Sequence, residues 1–90
     1  MIVFIFDSFK TKQDAEAFIS EVTERFQRKC RLCLTFEDMA NCNVVPIGVA
    51  LPIVLVDRKY ATVEDEFLKL VEQCNGHYAG PSELEGDMFE

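Results

Sequence analysis

The sequence predicts an α+β two-layer sandwich with the element order β-α-β-β-α-β. Three observations lead there. Two β-branched and aromatic runs, IVFIF at 2–6 and PIVLVD at 52–57, have the pattern of strands covered on both faces. Two other stretches, 12–28 and 63–74, change to helical spacing. A chain of 90 residues has room for one core only, so these elements must pack together.

The first strand ends at Asp7, and from Thr11 the period changes. Ala15, Phe18, Ile19, Val22 and Phe26 fall on one stripe of a helix, with Asp14, Glu16, Glu21, Glu24 and Arg25 on the other side. Thr11 is the expected N-cap, and Asp14 lies in the first turn, where a negative charge suits the helix dipole. Residues 31–36 then alternate. Leu32, Leu34 and Phe36 are expected on one face and Arg31, Cys33 and Thr35 on the other.

After Glu37-Asp38 the connection NCNVVPIGVA has no periodicity that assigns its form, and the strand at 52–57 follows it. Thr62 is the expected cap of the helix at 63–74, with Val63, Phe67, Leu70, Val71 and Cys74 as its stripe. Asn75-Gly76 ends that helix, with Gly76 expected to take the left-handed conformation. His77-Tyr78-Ala79 forms a short last strand. Residues 1–80 then constitute the domain, and PSELEGDMFE at 81–90 is a tail with four acids.

This order is the split β-α-β, or ferredoxin-like, arrangement, with two helices on one face of a four-stranded antiparallel sheet and strands 1 and 3 at its centre. Both central strands are apolar on both sides, and the two helices cover one. The other face is expected to meet a second subunit, the 39–51 connection, the tail residues Leu84, Met88 and Phe89, or a partner protein.

The alternative is a thioredoxin-like α/β fold. Leu51-Pro52-Ile53 resembles the junction at which glutaredoxins enter their proline-initiated strand, and the resemblance covers roughly the second half of the chain. It implies a parallel first pair of strands, a crossover helix within 39–50 and a cis Leu51-Pro52 bond. Where that family carries its Cys-x-x-Cys, at the end of the first strand, this sequence has Asp7-Ser8-Phe9-Lys10, so the resemblance implies a degenerate member without the usual redox site.

Composition narrows the function classes. The chain is 49% hydrophobic with eight Phe, which fits a compact domain and excludes a disordered one. A net charge of −7 argues against binding nucleic acid or an anionic membrane, both of which select positive surfaces. MIVFIF is not expected to be a signal peptide, since no basic segment precedes it and no small-residue cleavage site follows. The uncharged run 39–56 is too interrupted by Asn, Pro and Gly for a membrane span. A cytoplasmic setting with reduced thiols is the resulting expectation.

Cys30 and Cys33 form a Cys-x-x-Cys pair inside RKCRLCLTF. On an extended backbone, rising about 3.3 Å per residue, positions i and i+3 lie on opposite faces and out of disulfide reach. A zinc site would have to draw on Cys30, Cys33, Cys42, Cys74 and His77, but no second Cys-x-x-Cys or Cys-x-x-His supplies the other half. Neither a metal nor any other cofactor is expected. Cys42 has no neighbouring base, and a lone loop cysteine is ordinarily a plain thiol.

Two polar groups remain. Arg25, Arg28, Lys29 and Arg31 make a basic cluster that complements a helix C-terminus or docks an acidic partner surface. Strands 1 and 3 are taken to run parallel in either fold, which would gather Asp7, Ser8 and Lys10 with Asp57, Arg58 and Lys59 as a ligand site at their carboxyl ends. No nucleophile, base or metal set stands out, so catalysis is the less favoured reading. The expected function is a small protein-interaction or structural domain that self-associates through its apolar sheet face. The alternative is a regulatory module binding a small ligand.

Overall fold

A computed structural model of the chain describes residues 2–41, 50–57 and 65–83. Strand β1 (Ile2–Asp7) leads to helix α1 (Lys12–Phe26), then β2 (Cys30–Cys33), a short helix α2 (Phe36–Asn41), β3 (Ile53–Asp57), α3 (Asp65–Gln73) and β4 (His77–Glu83). The four strands make one sheet in the order β2-β3-β1-β4. Every pairing in it is antiparallel. Three helices pack this sheet, giving an α+β sandwich.

The central pair is β1 and β3, as expected, but their direction is not. Val3 lies opposite Asp57 and Phe6 opposite Val54, so the strands run antiparallel and their carboxyl ends point to opposite edges of the molecule. The parallel premise fails because β3 follows β2 as its antiparallel neighbour and inserts between β2 and β1. The same pairing corrects the thioredoxin-like alternative: β2 adjoins β3 rather than β1, and no described strands pair in parallel. The Leu51-Pro52 bond is cis.

The sequence stripe of α1 packs as its spacing requires. Ala15, Phe18 and Val22 are buried, with Ile19 and Phe26 packed against them. They join Phe4, Phe6, Phe9, Val54, Val56, Phe67, Leu70 and Val71 in one aromatic-rich core. Phe6 stacks against Phe18 at 4.8 Å between ring centres, and Phe26 meets Phe67 edge-on at 4.4 Å. Each fully buried Phe contributes roughly 2–3 kcal/mol of apolar burial. Thr11 caps α1, its hydroxyl accepting from the Asp14 N–H at 3.1 Å.

The opposite sheet face is also buried. Val3, Ile5, Ile53, Leu55 and Cys33 form a second core with Met39 of α2, and Leu51 packs on it. The expected exposed sheet face is thus closed within one chain. The reason lies in residues 34–38. Asp38 accepts from the Leu34 and Thr35 N–H groups, at 3.0 and 3.2 Å, while the Thr35 hydroxyl accepts from the Asp38 N–H at 3.1 Å. This reciprocal cap starts α2 and stops β2 at Cys33, three residues before the alternating pattern ends. Leu34 and Phe36 leave the sheet and Met39 lands on it.

At the end of α3 the left-handed residue is Asn75, not Gly76. The Asn75 N–H donates to the Glu72 carbonyl and the Gly76 N–H to the Val71 carbonyl, the two bonds of a Schellman turn. Gly76 is required by crowding instead: a Cβ there would sit 2.5 Å from the Phe9 ring and 2.8 Å from Val71. β4 then runs to Glu83, longer than its sequence pattern, with an irregularity where Ile5 faces Gly80 and Phe6 faces Tyr78. Ala79 is the extra residue, and Gly80 beside it adopts φ 111°. Pro81 is tolerated because β4 is an edge strand. The expected Thr62 cap and Val63, and the tail from residue 84, lie outside the described residues.

Candidate functional site

The antiparallel sheet divides the expected ligand site between its two ends. Asp57 faces Val3, whereas Asp7 faces His77. Asp7, Ser8 and Lys10 therefore lie at one end and Asp57 at the other, and Arg58 and Lys59 fall outside the described residues. Ser8 and Lys10 are exposed, and Ser8 takes φ 60° with its N–H donating to the Ala50 carbonyl at 2.9 Å.

Asp57 has an internal partner drawn from the other predicted cluster. Arg28, at 1% side-chain exposure, reaches it through Nε to Oδ1 at 2.9 Å, and its guanidinium also donates to the Asp57 backbone carbonyl. The guanidinium carbon stands 5.1 Å from the centre of the Phe67 ring. Arg28 is thus withdrawn from any partner surface, because α1 ends in a left-handed Gln27 that turns the chain and aims residue 28 back over the core. Arg25 is exposed, paired with Glu21 at 3.4 Å and set against Phe26. Lys29 and Arg31 remain on the surface.

The cysteine pair is split by the sheet, as the extended spacing requires. Cys30 packs on the aromatic core and Cys33 belongs to the second core. Burial, and next the negative charge of Asp57, push the Cys30 thiol up to about 12. Burial also raises Cys74. Thiols held protonated are poor nucleophiles. Cys42 lies outside the described residues. Among the described residues no group of three or more His, Cys, Asp or Glu is placed to hold a metal ion. No described helix is long and apolar enough to cross a membrane.

His77, which had no evident partner in the sequence, gains one. The Asp7 side chain is 4% exposed, and its Oδ1 lies 3.1 Å from His77 Nδ1 while Oδ2 accepts from the Ala50 N–H at 3.0 Å. The His77 side chain itself is 70% exposed. Beside it, α3 and β4 border a groove of about 370 Å³, with Leu68, Val71 and Tyr78 as apolar wall and Lys69, Glu72 and His77 as polar lining. The signal for this pair was absent from the sequence because 70 residues separate its members.

The exposed large apolar side chains among the described residues are Leu34 at 38% and Phe36 at 68%. They adjoin each other at the turn between β2, an edge strand, and α2. Exposed Arg31 and Glu37 flank them. No protein-family model, curated protein or solved structure matches the chain.

Proposed function

We propose that the chain is a non-catalytic interaction domain of ferredoxin-like architecture that forms homodimers in the cytoplasm. The order β2-β3-β1-β4, with β3 inserted antiparallel between β1 and β2, supports the architecture. The observation that carries the interaction is Phe36. Both sheet faces are buried, so a Phe left 68% exposed beside Leu34 marks where association is favourable. The site of self-association thus moves from the sheet face to the β2–α2 turn. A second copy suits this patch, because Arg31 and Glu37 flank it with opposite charges and a two-fold pairing sets each against its counterpart.

Sedimentation equilibrium over a range of concentrations tests this reading. A dimer that Phe36→Ser converts to monomer, with an unchanged circular dichroism spectrum, is expected. A chain that stays monomeric at high micromolar concentration, or an F36S variant that dimerises as well as the parent, overturns it.

A further inference from the structure

The groove between α3 and β4 lies at the other lateral edge of the sheet from Phe36, and it joins features the interaction reading does not use. A carboxylate accepts hydrogen bonds, so the 3.1 Å contact between Asp7 and His77 requires the ring proton on Nδ1. In the neutral ring this leaves Nε2 as a lone-pair acceptor. Asp7 is itself fixed by the Ala50 N–H, which holds the orienting carboxylate in place. The imidazole is thereby oriented, and His77 belongs to the lining of a groove whose remaining wall includes Leu68, Val71 and Tyr78. Its volume of about 370 Å³ accommodates a one-ring molecule.

We infer that this groove binds a small, mostly apolar molecule bearing one O–H or N–H donor, which His77 Nε2 accepts. The polar lining disfavours a plain anion, since the charges of Lys69 and Glu72 oppose each other and no excess of cations is present. A ligand without a donor gains only the apolar wall. Discrimination therefore rests on the hydrogen bond to the oriented imidazole, which the His77→Ala comparison separates from the Glu72 carboxylate on the same lining.

Phenol, toluene and benzoate are the probes, titrated into isotopically labelled full-length chain at about pH 8 and followed by amide and imidazole nitrogen shifts. Phenol is expected to produce saturable shifts at Leu68, Val71 and Tyr78 and to move the Nε2 resonance, with toluene binding about tenfold more weakly. His77→Ala should erase that difference, leaving both probes equal. Equal binding of phenol and toluene to the unaltered chain, tighter binding of benzoate, or absence of saturation overturns the inference. So does a phenol preference that survives in H77A. Should H77A lose its native spectrum, the phenol–toluene comparison on the unaltered chain decides alone.

Discussion

Among the described residues, each end of the sheet carries an ionisable pair, the two arranged in opposite senses. At one end the cation is buried: Arg28 is enclosed and Asp57 keeps 27% of its side chain in water. At the other the anion is buried, and Asp7 holds an exposed His77. In both pairs the enclosed member makes contacts beyond its partner's side chain, Arg28 with the Asp57 backbone carbonyl and the Phe67 ring, and Asp7 with the Ala50 N–H. A desolvated charge needs that full complement. The exposed member needs no such complement and remains available to something else.

The largest expected effect breaks the first pair. Asp57→Ala leaves a buried guanidinium without its carboxylate and should cost about 3 kcal/mol in urea unfolding. Arg28→Met should cost less, about 1–2 kcal/mol, because Met refills the space over Phe67 and Asp57 can hydrate. If R28M proves the more damaging, the buried member is not the one that governs the pair.

Next in size is Asp7→Ala. It removes the acceptor of the Ala50 N–H and should destabilise by about 2 kcal/mol in the same assay. His77→Ala sharpens the contrast. Its side chain is mostly in water, so the cost should stay within about 0.5 kcal/mol. Equal losses in D7A and H77A would make the imidazole a structural strut, unfit for the role given to it at the groove.

The effect that vanishes at neutral pH and is read only in alkali lies beside Asp57, at Cys30. Because the Cys30 thiol is pushed up from 9.0 to about 12, the folded state favours its protonated form. That preference is fully present below pH 9.0 and is lost as pH rises toward about 12. Cys30→Ser should flatten this part of the stability profile, measured by thermal unfolding at stepped pH. A profile unchanged by C30S would mean that the thiol ionises as readily in the folded chain as in the unfolded one.

Local patterns carried much of the fold. The stripe Ala15-Phe18-Val22 and the Thr11 cap could be read directly, because helical periodicity and capping depend on neighbours within a turn. The β2–α2 junction departs from the periodic pattern for a related reason. Leu34 and Phe36 continue an alternating pattern, while the Thr35–Asp38 cap that ends the strand competes with it, and the cap wins. The candidate site was least legible. Parallel and antiparallel placements of β1 and β3 suit the same apolar runs, yet they decide whether Asp7 meets Asp57 or His77. The burial of Arg28 likewise follows from one left-handed residue, Gln27, whose conformation no periodicity announces.

The irregular β4 has a consequence for how large an assembly can become. Its bulge at Ala79 and the missing N–H of Pro81 blunt that edge against strand addition, whereas β2 at the opposite edge has neither device. Head-to-tail stacking of sheets needs two open edges, one to give and one to receive. Because the β4 edge is blunted, a two-fold pairing of copies at β2 would leave no edge to which a third could add, so such pairing would stop at two.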